Sequence, residues 1–185
     1  MMILKKQTMR FGGFTMIEII IVVVIIGIAA LMAVPMFSGA ADMQVRAAAN
    51  RLAADLDYAK GMAVTHQTGY AVVFDPANES YDIRMDHDND GDYETDDIVD
   101  NPVRPGTPYV VDFSSDSNFS RVNIATAAFN TAMTQTITFD YLGSPYAGLG
   151  TGTDLNSGAI TLEADAFTIT IAVEPMTGYV TISGP

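Results

Sequence analysis

The stretch 14–34 constrains this chain more than any other. Its 21 residues, FTMIEIIIVVVIIGIAALMAV, are apolar apart from Thr15 and one acid, Glu18. As a helix at ~1.5 Å per residue the run is about 32 Å long, enough for a bilayer core of roughly 30 Å. Lys5, Lys6 and Arg10 precede it and no acid lies before Glu18. That asymmetry keeps the leading end cytoplasmic and exports the rest of the chain. A carboxylate near the membrane centre costs at least ~2.5–3.5 kcal/mol on the gentlest scale, so Glu18 needs a reason.

An ordinary cleaved signal peptide has a basic start, an apolar stretch and small residues such as Ser38-Gly39-Ala40 at its cleavage site. The uninterrupted apolar run 19–34 is longer than the usual ~7–15 residues, and an acid has no role in a discarded signal. A plain membrane anchor also leaves Glu18 unexplained. Cleavage after Gly13 explains it. Phe14 then carries a free ammonium group, with Glu18 one helical turn away. In a stack of such helices the carboxylate of one subunit meets the ammonium of its neighbour. A buried charge is tolerated when paired and strongly destabilising when not, so burying Glu18 would select the register of assembly.

Gly13-Phe14-Thr15-Met16-Ile17-Glu18 resembles the class III signal of type IV prepilins and type II secretion pseudopilins. The resemblance implies that a prepilin peptidase cleaves between Gly13 and Phe14 and methylates the nitrogen of Phe14. It implies that Glu18 is the assembly residue. Gly27 and Pro35 fall where the family has a helix glycine and a helix-kinking proline. Met16 departs from the more usual leucine.

Beyond Pro35 the helical pattern continues. Val45, Ala49, Leu52, Leu56, Ala59 and Ala63 form an apolar stripe on one face, while Asp42, Arg46, Arg51, Asp55 and Lys60 are read as lying off it. Pro35 should bend this helix rather than end it, and His66 falls at its expected end, where an imidazole caps carbonyls well. From residue 69 the period changes to two. Strands are expected at 70–74, 81–85, 109–113, 121–124, 136–139, 159–162, 167–173 and 179–182, separated by turn signals such as Asp75-Pro76, Glu174-Pro175 and Thr177-Gly178. The stretch 146–158, rich in Gly, Thr and Ser, reads as a long loop.

The expected class is α+β: a long N-terminal helix, membrane-spanning in its first half, packed on a C-terminal antiparallel β-sheet domain of pilin-like form. The expected organisation is a cleaved leader at 1–13, a transmembrane and assembly helix at 14–35, an amphipathic helix at 36–66 and a periplasmic β domain at 67–185. This layout also resembles one branch of the family, the minor pseudopilin called type II secretion system protein H, with its fimbrial T relatives. The resemblance rests on Ala59-Lys60-Gly61-Met62-Ala63, a hairpin around 75–80, the acidic loop 86–97 and Thr177-Gly178 before Tyr179-Val180. Lys60 stands where that branch has arginine.

Charge narrows the partners. The chain carries −13, and without residues 1–13 it keeps 6 basic against 22 acidic residues, a net of −16. Such a surface repels nucleic acid and anionic headgroups. With no cysteine, neither a disulfide framework nor a thiolate metal site can form. The only histidines are His66 and His87, and Gly148-x-Gly150-x-Gly152 has no helix after it to cradle phosphate. No catalytic constellation emerges, so an enzyme is not expected.

One stretch has ligand character. Asp86, Asp88 and Asp90, then Gly91, then Asp97 fit the D-x-D-x-D-G-x5-acid spacing of a calcium loop, with Asp92 a further candidate. Its flanks read as strands, so it is not an EF-hand. Calcium is the candidate cofactor. The competing reading is a solvated acidic hairpin that binds nothing.

The resemblance implies a minor pseudopilin of a type II secretion system. Its partners would be prepilin peptidase, other pilin-like subunits, the inner-membrane assembly machinery and the membrane, with no nucleic acid. It would sit in the inner membrane as a single-pass protein with its C-terminal domain in the periplasm. A minor pilin of a type IV pilus shares every N-terminal feature. A DNA-uptake pilin needs a basic stripe, and only Arg84, Arg104 and Arg121 follow Lys60. A membrane-anchored calcium-binding protein that does not assemble is the remaining alternative, and Glu18 counts against it.

Overall fold

The computed structural model describes residues 13–87, 91, 93–94, 97–130 and 134–184, the side chains of 31–38 excepted. Helix α1 is Met16–His66, and the chain divides into two compact units, Met1–Gly39 and Ala40–Pro185. In the first unit the described part of α1 is apolar on every face and open on every face. Ile19, Ile20, Ile21, Val22, Val23, Val24, Ile25 and Ile26 are all exposed. Such a helix has no inside of its own and needs hydrocarbon or other helices around it. Among the described residues no helix is long and apolar enough to cross a membrane. The described side chains of this stretch end at residue 30, so the last part of the expected span lies outside them.

In the second unit the same helix has an inside. Ala41, Val45, Ala48, Ala49, Leu52, Leu56, Ala59 and Ala63 are fully buried, the 3–4 spacing that puts one stripe against a core. The five alanines let the helix backbone lie close to its neighbours. The helix ends at His66, after which Gln67 takes a left-handed conformation (φ 57°) and the Thr68 N–H donates to the Ala63 carbonyl, as helix C-termini commonly do.

Among the described residues the strands form two antiparallel sheets. The first joins β1 (Tyr70–Asp75), β2 (Ser80–Met85), β3 (Val110–Asp112), β5 (Thr136–Phe139) and β6 (Pro145–Ala147) in the order β3-β2-β1-β5-β6. The second joins β4 (Asn123–Phe129), β7 (Gly158–Ala164), β8 (Phe167–Val173) and β9 (Val180–Ser183) in the order β4-β7-β8-β9. Alternation works as expected: in β7, Ile160, Leu162 and Ala164 point inward, opposite the inward Ile171 and Ile169 of β8. The core between helix and sheets carries an aromatic run, with Phe74 5.6 Å from Tyr81 and 5.8 Å from Phe129, and Phe113 edge-on to Tyr81 and Phe119. The α+β class with a helix on antiparallel sheet is as the sequence implies.

Two expectations need correction. The stretch 146–158 is not one loop. Pro145–Ala147 pairs with β5 as an edge strand, and Tyr146 bridges Asp154 on the way to β7. A proline is tolerated at the first position of an edge strand because no ladder bond is lost there. The strand expected at 121–124 instead runs Asn123–Phe129, with its register shifted by a bulge between Ile124 and Thr126. That bulge breaks the period-two signal on which a sequence reading depends.

Candidate functional site

At the N-terminal end, Gly13, Phe14 and Thr15 precede the helix and Phe14 is exposed. Glu18 is in the first helical turn. The Glu18 N–H donates to Thr15 Oγ1 at 3.3 Å, and the Thr15 N–H donates to Glu18 Oε2 at 3.4 Å. This is a capping box, which satisfies two backbone donors that a helix start otherwise leaves open. The signal was present as Thr15-x-x-Glu18 and was missed. Glu18 therefore has a local partner in a single subunit. Gly27 lies in open helix surface, where a Cβ would meet nothing within 4 Å. Pro35 falls inside the bounds of α1.

The acidic loop leaves β2 and returns beside it. Arg84 pairs antiparallel with Ile98, and the Val99 N–H donates to the Ile83 carbonyl at 3.0 Å. That pairing returns Asp97, the residue before Ile98, to the end of β2, which Asp86 follows; we call this place the neck of the stretch. Asp88, Asp90 and Asp92 lie outside the described residues. Asp86 is buried, and its Oδ2 accepts from the Gly91 N–H at 3.2 Å. Gly91 has φ +87°, a left-handed conformation that favours glycine at this turn. Asp86 Oδ1 is buried with no hydrogen-bond partner among the described residues. Asp97 is half-buried, and its Oδ2 accepts from the Glu94 N–H at 2.9 Å.

The Tyr93 hydroxyl is pushed up to about 12, first by burial and then by the negative charges of Asp86 and Asp97. The ring is buried against Gly69, where a Cβ would stand 2.0 Å from the hydroxyl oxygen, so only glycine leaves room there. Arg84 does not neutralise the neck. Its Nε and Nη2 bond Asp82 at 2.6 and 3.1 Å and its Nη1 donates to the Tyr93 carbonyl at 2.9 Å. Among the described residues no group of three or more histidine or acidic side chains is placed to hold a metal ion.

A second buried acid was missed altogether. Asp55, read from sequence as off the apolar stripe, is buried in the face of α1. It accepts from the Tyr81 hydroxyl at 2.6 Å and the Tyr109 hydroxyl at 2.8 Å, with Arg51 Nε 3.8 Å away. Burial first, and Asp55 after it, hold both tyrosines well above the usual phenol range. Over this cluster opens a polar cleft of about 630 Å³, lined among others by Arg51, Asn101, Arg104 and Asp116. No histidine lines it. His66 is engaged elsewhere: its Nδ1 lies 2.6 Å from the Tyr70 hydroxyl, so the ring bonds the first residue of β1 rather than a helix carbonyl as expected.

A capped apolar helix start leads into a helix backed by two antiparallel sheets, and the family matches make this a type IV pilin-like protein. The family model for the type II transport protein GspH matches residues 48–178, and the prokaryotic N-terminal methylation motif matches residues 8–34. The chain belongs to the GspH family. Two crystal structures of the type IV minor pilin FimU from Pseudomonas aeruginosa are similar to it. One is 12% identical with a TM-score of 0.46, covering 78% of this chain and 94% of that one. The other is 14% identical with a TM-score of 0.44, covering 76% and 96%. No curated protein matches its sequence.

Proposed function

We propose that the chain is a minor pseudopilin of a type II secretion system, and that its activity is assembly rather than chemistry. The observation that carries this is the succession on one chain of the methylation motif at 8–34 and the GspH match at 48–178. Prepilin peptidase removes residues 1–13 and methylates Phe14. Residues 14–35 lie in the inner membrane, and residues 67–185 form a β domain in the periplasm. The inner-membrane machinery moves the subunit into a short filament with other pilin-like subunits, and the filament promotes secretion. Deletion that abolishes secretion but leaves surface pili supports this role. The reverse outcome assigns the subunit to a type IV pilus.

Glu18 carries the assembly step. In one subunit it caps its own helix; in the filament its charge meets the Phe14 ammonium of a neighbour. Glu18→Gln separates the two roles, because glutamine keeps the capping box while losing the charge. Both Glu18→Gln and Glu18→Ala should insert normally and fail to crosslink to other subunits, since breaking a buried pair costs roughly 3–5 kcal/mol. Mass spectrometry of the wild type should give a methylated Phe14 terminus. Glu18→Gln crosslinking at wild-type level and equal membrane abundance would show that the carboxylate only caps its helix. A terminus at Ala41 would make the leader an ordinary signal peptide.

A further inference from the structure

The neck of the acidic loop holds an unfinished site. Asp86 is 8% exposed and one of its oxygens has no partner among the described residues. The other accepts from the Gly91 N–H, which turns the carboxylate toward the loop. Asp97 arrives beside it because Ile98 pairs with Arg84. Residues 86–97 hold seven acids and no Lys or Arg. The guanidinium of Arg84, on β2, is committed to Asp82 and the Tyr93 carbonyl. A buried carboxylate oxygen without a donor is a group that should find a cation or lose its charge.

We propose that Asp86 and Asp97 hold a calcium ion at the neck of this loop. The donors are hard oxygens, and the chain has no cysteine to favour zinc or another soft metal. Glycine at the sixth position and acids at the first and twelfth give the spacing of a flexible calcium loop, where magnesium demands a tighter octahedron. The ion would tie the two ends of the loop together and neutralise the most acidic stretch of the domain.

The test uses the full chain in detergent micelles, by thermal unfolding with millimolar calcium, with magnesium, and with chelator. Calcium should raise the melting temperature by about 5 °C or more, as a ligand of the folded state alone does when well above its Kd. Magnesium should do much less. Asp86→Asn and Asp97→Asn should each weaken calcium at least tenfold, and the half-buried Asp97 decides the matter if Asp86→Asn fails to fold. Terbium gives an independent reading, because the chain has no tryptophan and Tyr93 lies between both acids in the sequence. Tyrosine-sensitised luminescence should appear, be displaced by calcium, and fall sharply in Tyr93→Phe while the calcium shift persists. No calcium-dependent shift, an unchanged shift in both asparagine variants, or full luminescence in Tyr93→Phe would each overturn the site.

Discussion

Asp55 and Asp86 are buried to the same degree, 7% and 8% exposed, yet their surroundings differ in kind. Asp55 sits where helix meets sheet and takes two tyrosine hydroxyls, with a guanidinium near. Asp86 sits where strand meets loop and takes one backbone N–H, its other oxygen having no partner among the described residues. A buried carboxylate whose donors come from the chain itself ties elements of the fold together. One whose donors are incomplete points to something the chain does not contain. The contrast is one of structural role, since Asp55 joins α1 to the first sheet through the Tyr81 hydroxyl, whereas the Asp86 carboxylate bonds only the backbone of its own loop.

The largest expected effect is on the completed site. Asp55→Ala leaves Tyr81 and Tyr109 buried without an acceptor, and a lost partner costs roughly 1–3 kcal/mol for each orphaned group. Denaturant unfolding of the full chain in micelles should show a loss of about 2–4 kcal/mol. Asp55→Asn keeps one acceptor oxygen and should lose about half as much. Wild-type stability in Asp55→Asn would mean that the network is not what joins helix to sheet, and the contrast with Asp86 would collapse.

A smaller effect follows from pH. Tyr81 and Tyr109 are raised in the folded protein by burial and then by Asp55. A raised folded pKa gives stability that is whole below the unfolded value and is lost as pH climbs toward the folded one. Stability should therefore hold to about pH 10, the ordinary tyrosine value, and decline above it. Each such group adds a slope of about 1.4 kcal/mol per pH unit. Tyr81→Phe should flatten the alkaline decline by about one group's worth, whatever it does to stability at neutral pH. An unchanged slope would mean that Tyr81 is not held protonated by the fold.

Much of this is legible in the sequence. The stripe of α1 and most strands came from periodicity, and the N-terminal signal from six contiguous residues. The misses have physical causes. Asp55 continues the spacing of Ala48 and Leu52 toward Ala59, at steps of 4, 3 and 4, so its position on the buried face was readable. Its charge argues the other way because the two tyrosines that bond it, Tyr81 and Tyr109, lie 26 and 54 residues along the chain. Glu18 was weighed for its cost in a membrane, which hid the ordinary capping box it makes with Thr15. β6 has three residues, too few to show a period. The orphaned oxygen of Asp86 was beyond sequence altogether, because it depends on Arg84 being drawn to Asp82 and Tyr93 instead.

The smallest effect sharpens the contrast most, because one substitution should act in opposite directions at the two acids. In chelator, Asp86→Asn removes a buried charge that has no cation and keeps an oxygen for the Gly91 N–H. Relieving an uncompensated charge offsets the amide's own unsatisfied donor, so stability should change by about 1 kcal/mol or less, and not downward. Asp55→Asn under the same conditions should be clearly destabilised, because there the charge is matched by donors built into the core. Adding calcium should then reverse the order at the loop, with the wild type gaining and Asp86→Asn left behind. If Asp86→Asn in chelator fell as far as Asp55→Asn, the loop carboxylate would have a partner of its own within the chain. Asp86 would then be a structural acid like Asp55.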